Sequence, residues 1–373
     1  MKITGITTRL IEIDPSTRYR DGRVPPGRPA LWQFPLVTVH TDDGIDGYST
    51  AYGPHGDGAA IVETLHSVYL PELLGEDPRN SEQIWQEIWR KQRHLYHQRD
   101  SLLGVLDVAI WDIRGKIANQ PIAQLLGVHR DELPCYATSH SEKYTPEEVF
   151  EEAQGAKAAG FHGYKVQFRD GVSDDIPRLR AAREAVGPAF PLMDDPAGGY
   201  GYGEALAVGR VLDELDYHWY EEPVPDRSFA ALELLARHLR TPILVGETVG
   251  LSELSGYLRS GLFPLIRGDT LLKGGITGLR KAMAMAELFG VNLEIHTASS
   301  PLLDVANLHV ACASANVEFV EIDHPIFRWG IQDNPMEPDA RGLVHMPNGP
   351  GLGVSLDQDW LEDHSGAVRT TKL

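Results

Sequence analysis

The sequence predicts an α/β protein in which a parallel (β/α) barrel follows a smaller domain. Three observations carry that reading. Apolar or aromatic runs recur from residue 133 to residue 321, with amphipathic stretches between most of them, as strands and helices alternate. Three of the runs end in acids at equal spacing (195 to 221, 221 to 247): Asp195 in PLMDDP, Glu221 in HWYEEP and Glu247 in PILVGET. The length, 373 residues, suits a barrel of about 200–250 residues plus one smaller unit.

From the amino terminus, KITGITTRLIEI and FPLVTVHT read as strands, separated by an Arg-rich loop, with DDGIDG as a turn. Residues from about 58 to 127 read as helical. NSEQIWQEIWRKQRHLYH sets Ile84, Trp85, Ile88, Trp89 and Leu95 at spacings near three and four, which is a core face. LGVLDVAIWDIRGKIANQPIAQLLG reads as two helices broken at Gln120-Pro121 and ending at Gly127. The barrel strands are then LPCYA, HGYKV, FPLM, YHWY, PILVG, FPLI, NLEIH and EFVEI. After the first, TPEEVFEEAQGAKAAG offers Thr145 as N-cap, Pro146 in the first turn and Glu148 to close a capping box. GEALAVGRVLDELD and GLRKAMAMAELFG are periodic in the same way. The Pro- and Gly-rich remainder, 326–373, is expected to fold back on the first domain. The expected units are 1–127, 128–325 and 326–373.

Composition narrows the function. The net charge of −19 argues against a nucleic-acid partner, since a phosphate backbone needs a basic footprint. No apolar run approaches the roughly 18 residues of a membrane span. The start reads as a strand and not as a signal peptide, and the two cysteines, Cys135 and Cys312, have no metal spacing. They read as buried small hydrophobes, with a cytoplasmic location expected. Arg18, Arg20, Arg23 and Arg28 lie in a loop, STRYRDGRVPPGRPALW, that reads equally well as a solvated linker or as a lid bringing guanidiniums to an oxyanion.

Each acid at a strand end, taken singly, is a solvated turn residue. Three at matched intervals, on the face where barrel strands converge, read as oxygen ligands for a hard divalent ion, with Mg²⁺ expected. Other strand ends add Lys165, with Gln167 on the same face, then Asp269, His296 and Glu321. An Asp and a His on adjacent strands can pair, the carboxylate fixing the imidazole tautomer and stabilising its charged form, which suits a general base. Lys165 reads as a rim ion pair, an electrostatic clamp or an acid. A metal ion on a substrate carboxylate, beside a His or Lys base, is the arrangement for removing an α-proton.

The segments GVLDVAIWDIRGKIANQPIAQLLG, GFHGYKVQ, LMDDPAGGY, WYEEP, VGET, TLLKGGITG and EIHT together resemble the enolase superfamily, in its mandelate racemase branch, over nearly the whole chain. The resemblance implies a modified (β/α)7β barrel under an α+β capping domain. It makes Asp195, Glu221 and Glu247 the Mg²⁺ ligands, in preference to the adjacent Asp194 and Glu222. Asp269 and His296 become the Asp-His dyad, and Glu321 the acid of the last strand. Loop 16–32 matches a mobile lid and GPHG around His55 a second specificity loop, which puts Arg18, Arg20 and His55 with Gln167 among the substrate contacts. Related proteins are often symmetric dimers or octamers, so a homo-oligomer is expected.

The chain departs from the family pattern at two places. The usual Lys-x-Lys reads Lys165-Val166-Gln167, and a glutamine cannot accept an α-proton. Asp195-Pro196-Ala197 lacks the Asn often found two residues after the Asp. No lysine replaces Asp269, which separates the chain from the muconate-lactonizing and dipeptide-epimerase branches. With the usual base missing from the Gln167 face, where Lys165 remains a weaker candidate, the expected reaction is dehydration of a sugar acid, an aldonate or aldarate, to a 2-keto-3-deoxy acid through a metal-stabilised enediolate. A cycloisomerase of a sugar-acid lactone or anhydro-sugar acid uses the same machinery. A racemase or epimerase of a 2-hydroxy acid, and a sugar-acid-binding protein without catalysis, are the remaining readings.

Overall fold

The computed structural model describes residues 1–19, 22–95, 100–139 and 145–372. The chain opens with β1 (Ile3–Ile13), β2 (Trp32–Thr41) and β3 (Gly47–Thr50), followed by α1 (Gly58–Thr64), α2 (Leu70–Leu73), α3 (Ser81–Leu95), α4 (Asp100–Ala118) and α5 (Ile122–Leu126). The barrel then runs β4 (Glu132–Thr138), α6 (Pro146–Ala158), β5 (Gly163–Val166), α7 (Val172–Val186), β6 (Leu192–Asp194), α8 (Tyr202–Leu215), β7 (Trp219–Glu221) and α9 (Phe229–His238). It continues with β8 (Ile243–Val245), α10 (Leu251–Ser260), β9 (Leu265–Gly268), α11 (Gly275–Leu288), β10 (Asn292–Ile295), α12 (Pro301–Cys312) and β11 (Val320–Ile322). The tail holds β12 (Ile331–Gln332), β13 (Leu343–His345), β14 (Ser355–Leu356), α13 (Gln358–Asp363) and β15 (Ser365–Lys372).

Strands β4 to β11 lie side by side in parallel and close on themselves where Val320, Glu321 and Ile322 pair with Cys135, Tyr136 and Ala137. Among the described residues seven helices, α6 to α12, fill the crossovers, so this is the expected (β/α)7β barrel. The capping sheet is antiparallel in the order β15-β1-β2-β3, and its helices with the tail complete the α+β cap. Locally signalled features fall where the sequence places them. Thr145 accepts from the Glu148 N–H while the Glu148 carboxylate accepts from the Thr145 N–H, the reciprocal capping box. The break at Pro121 is held by the tail: Gly351 donates to the Gln120 carbonyl at 3.0 Å and accepts from the Ile122 N–H at 3.0 Å.

The tail packs back on the cap through β15 against β1, as expected, but β13 also pairs antiparallel with Glu132–Pro134 of β4. β4 is the longest barrel strand, and those residues lie before its pairing with β5 and β11 begins, so their edge is open to a new partner.

Helix α4 joins cap to barrel. It is buried on nearly every side because β2 and β3 lie against it from the cap and α11 from the barrel. Two glycines permit the approach: a Cβ at Gly47 would come within 2.1 Å of the Ala109 carbonyl, and one at Gly104 within 2.4 Å of the Thr270 carbonyl. Asp107 accepts from the Thr277 N–H (2.8 Å) and hydroxyl (2.7 Å), tying α4 to the first turn of α11. Cys135 and Cys312 are buried and unbridged. Among the described residues no helix is long and apolar enough to cross a membrane.

His309 on α12 is a second tie. Its Nδ1 accepts from the Ala123 N–H at 3.2 Å and its Nε2 donates to the Leu352 carbonyl at 3.0 Å, joining barrel, α5 and tail. Burial, which penalises the charged ring, pushes its pKa down to about 4 against the hydrogen bond to Leu352. The folded value lies below the unfolded one, so the stabilisation is full above about pH 6.5 and is lost as pH falls toward 4. The stability of the wild type relative to His309→Gln should therefore drop by about 3 kcal/mol over that window, read from urea unfolding at a series of pH values. A difference that stays constant with pH would refute the assignment.

Candidate active site

Counting by twos along the barrel strands separates an apolar layer from a charged one. Tyr136, Met193, Trp219, Leu244 and Phe319 form one buried cluster across the interior, with Leu265 against it. Two residues further on, on the same faces of their strands, stand Thr138, Asp195, Glu221, Arg267 and Glu321. The strand period alone thus places a charged layer on an apolar floor at the carboxyl ends of the strands.

Three of these charges, Glu221, Arg267 and Glu321, form a closed square with Lys165 of β5. The Lys165 ammonium lies 2.6 Å from Glu321 Oε1 and 3.2 Å from Glu221 Oε2, with Asp195 Oδ2 at 3.1 Å. Arg267 completes the square: its Nε is 2.8 Å from Glu221 Oε1 as a charge contact, and its Nη2 bonds Glu321 Oε2. Thr138 donates to Glu321 at 2.8 Å. Burial penalises every one of these charges, and the opposite charges outweigh it at three of them. Lys165 and Arg267 are held well above their usual values by the two glutamates, and Glu321 well below its own by the two cations. At Glu221 burial wins, raising the carboxyl to about 7 against the pull of Arg267 and Lys165.

Asp269 follows β9 and His296 follows β10, and the His296 N–H bonds the Gly268 carbonyl at 3.0 Å, continuing the ladder past the strands. Their side chains meet: His296 Nδ1 is 2.6 Å from Asp269 Oδ2. Asp269 is fully buried and also accepts from the Leu272 N–H at 2.5 Å and the Ser299 hydroxyl at 3.3 Å. That leaves Nε2 as the outward nitrogen, 3.8 Å from Glu247 Oε1. Burial lowers the basicity of His296, but Glu247 and Asp269 overcome it and raise the ring to about 10.

Asp195, Glu221 and Glu247 stand on three successive strand ends. Among the described residues no three His, Cys, Asp or Glu side chains are drawn into a ready-made metal shell. Asp195 and Glu221 share Lys165 instead, while Glu247 faces His296. The donor chemistry nonetheless suits a hard cation: all three are carboxylates without sulfur nearby, and Asp195 pushes both glutamates upward after burial does. The neighbouring acids differ. Burial, then Asp195, raises Asp194 well above the usual range, and burial with Glu247 and Asp226 lifts Glu222 to about 11, so Glu222 is neutral at pH 7. Three residues just beyond candidate groups, Ala197, Glu222 and Ala298, have positive φ (47°, 37° and 66°), as backbone at functional turns often does.

Gln167 donates from Nε2 to Asp195 Oδ2 at 3.1 Å. Arg18 is held at the rim, its guanidinium over the rings of Phe327 (5.3 Å) and Trp32 (5.9 Å) and 4.0 Å from Asp323. Arg20 lies outside the described residues. His55 is exposed and lines the cleft between cap and barrel with Tyr52, Thr248 and Leu272. Sequence reasoning missed Arg267 and Tyr52. Arg267 had a signal, a charge two residues before Asp269 and so on its face. Tyr52 had none, yet burial lifts its phenol to about 12, with Arg18 opposing and Asp323, Glu247 and Asp269 adding, which sets it between rim and site.

Residues 31–127 match the family described as Mandelate racemase / muconate lactonizing enzyme, N-terminal domain, and residues 148–360 match Enolase C-terminal domain-like. The chain is 30% identical over 381 residues to a D-galactarolactone cycloisomerase of Agrobacterium fabrum, covering 97% of this chain and 98% of that one. It is 30% identical over 334 residues to an arabinonate dehydratase of Saccharolobus solfataricus, covering 87% and 89%. Among solved structures, the D-glucarate dehydratase from Agrobacterium tumefaciens complexed with magnesium superposes with a TM-score of 0.86 at 28% identity, covering 98% of this chain and 100% of that one.

The square generates a stability prediction. Arg267→Met leaves Glu221 and Glu321 buried with Lys165 as their one remaining cation, and should cost about 3–5 kcal/mol in urea unfolding. Wild-type stability in that variant would mean that Lys165 alone suffices.

Proposed function

The chain belongs to the mandelate racemase/muconate lactonizing enzyme family of the enolase superfamily, and on that footing we propose that it is a Mg²⁺-dependent dehydratase of a sugar acid. The observation that carries the reading is the one-sidedness of the site. His296, braced by Asp269, offers Nε2 on one side, while the other side holds Gln167, an amide bonded to Asp195.

Asp195, Glu221 and Glu247 are the residues that would hold the ion, and its charge would offset the negative charge that develops as the α-proton leaves. An ion held by Glu247 would offset the carboxylate charge that does most to keep the ring protonated, and the neutral His296 Nε2 then takes the α-proton while Asp269 holds the Nδ1–H and stabilises the imidazolium. The C–H electrons form the Cα–Cβ double bond as the β C–O bond breaks, and the imidazolium returns the proton to the departing hydroxyl, which leaves as water. The resulting enol tautomerises to the 2-keto-3-deoxy acid. Lys165, committed to carboxylates and held as an ammonium, acts as an electrostatic clamp, with Glu321 keeping it in place. Tyr52, Arg18, Arg20 and His55 are assigned to the substrate's distal hydroxyls.

Two-sided proton transfer, as in a racemase, needs a base where Gln167 stands. A cycloisomerase needs only one base, with a ring oxygen as leaving group, and the Agrobacterium fabrum relative keeps that second reading in view. A binding protein without catalysis has no use for the intact dyad.

Purified protein with Mg²⁺ should turn over one or two members of a sugar-acid library in a semicarbazide assay for 2-keto products. A blank library together with turnover of a lactone or anhydro-acid, followed by NMR in D₂O, would select the cycloisomerase. His296→Asn should abolish turnover and leave Mg²⁺ affinity near wild type; normal activity would sink the base assignment. Gln167→Lys should add α-proton exchange on the second face, and exchange confined to one face would contradict the placement of Gln167 opposite His296.

A further inference from the structure

The turn that carries Glu247 is gripped by two buried charged side chains that reach it from different loops. Residues 246–249 leave β8 without regular structure, Gly246 at φ 103°. Asp226, from the loop after β7, accepts the Gly246 N–H on Oδ1 at 2.8 Å, and the Thr248 N–H (2.8 Å) and hydroxyl (3.1 Å) on Oδ2. Lys273, beyond β9, reaches the same turn, and its ammonium donates to the carbonyls of Gly246 (2.6 Å), Glu247 (2.8 Å) and Val249 (2.7 Å). An ammonium has three donors, and these three carbonyls occupy them all.

The grip also joins the turn to the dyad. Lys273 lies four residues after Asp269, and its N–H bonds the Asp269 carbonyl at 3.1 Å. Its stem runs along Gly268, where a Cβ would come within 3.1 Å of Lys273 Cε. Asp226 is 1% exposed and Lys273 0% exposed, so both charges are out of water. Burying a charge costs several kcal/mol unless its hydrogen bonds are made. An apolar residue in either place would avoid that cost but leave the turn's main-chain groups unpaired.

We propose that Asp226 and Lys273 are positioning residues that preset the Glu247 turn, and with it the Glu247 carboxylate, to receive the divalent ion. The inference rests on the reading of Glu247 as a metal ligand. Neither residue contacts the substrate in this scheme. Their effect passes through the main chain of 246–249.

The test is Mn²⁺ titration by electron paramagnetic resonance on wild type, Glu247→Gln, Lys273→Met and Asp226→Asn, each well below its unfolding temperature. Lys273→Met and Asp226→Asn should each weaken Mn²⁺ binding at least tenfold, the effect of losing a hydrogen bond behind a metal ligand, with unchanged far-ultraviolet circular dichroism. A merely structural role would lower the unfolding temperature and leave the affinity of the folded protein as it was. If Glu247→Gln weakens Mn²⁺ while a folded Lys273→Met or Asp226→Asn binds it like wild type, the positioning role of that residue is overturned and the ligand reading stands. If Glu247→Gln itself binds like wild type, the ligand reading falls and takes the inference with it. Asp226→Asn keeps the side-chain shape and decides alone if Lys273→Met does not fold.

Discussion

The square of Lys165, Glu221, Arg267 and Glu321 is the constraint on which the interior of this barrel depends. Two cations and two anions lie above the Tyr136–Trp219–Phe319 floor, far from water, and each touches both members of the opposite sign. Removing such charges from water costs several kcal/mol apiece, and only close pairing on every side recovers it. The geometry is therefore stiff: β5, β7, β9 and β11 each contribute one corner, so the square also fixes the spacing of four strands. It leaves Lys165 an ammonium, and Glu221 with Oε2 bonded to Lys165 and Oε1 in charge contact with Arg267 but without a hydrogen bond.

Around that fixed centre the remaining charges are distributed unequally. Burial pushes the carboxyls of Asp194 and Glu222 upward, whereas Asp195 accepts from Lys165, Gln167 and the Ala197 N–H and Glu247 faces His296. The local balance bears little relation to the chain's net charge of −19. What matters for the proposed chemistry is that a braced imidazole stands on one side and an amide on the other. The cap adds the rim. Arg18 is anchored on Phe327 and Trp32 at the carboxyl end of the barrel. Helix α4, clasped by Gly47 and Gly104 contacts, ties cap and barrel into one frame.

Much of the fold was legible because its signals are local. Thr145, Pro146 and Glu148 specify a helix start within four residues. The eight strand runs announce themselves by apolar residues between turns, and all eight became barrel strands. The convergence of Asp195, Glu221, Glu247, Asp269 and His296 could be anticipated, since parallel strands put their carboxyl ends on one face. The partners were another matter. Arg267 lies just past the run FPLI, and nothing adjacent to it in the chain says that it meets Glu221 and Glu321. The pairing of β13 with the start of β4 joins segments more than 200 residues apart, and Arg18's anchorage on Asp323 and Phe327 spans more than 300.

The sequence by itself determined the order of strands and helices, and which side chains would stand where the barrel opens. Hydrophobic period and turn chemistry act over a few residues and need no distant partner. The tertiary structure alone decided which of those charges touch: that Lys165 is spent on three carboxylates, that His296 leans on Asp269 with Nε2 outward, and that Lys273 bonds the turn bearing Glu247. Electrostatic pairing in a buried site depends on distances across the barrel, and those are set only when β11 closes on β4.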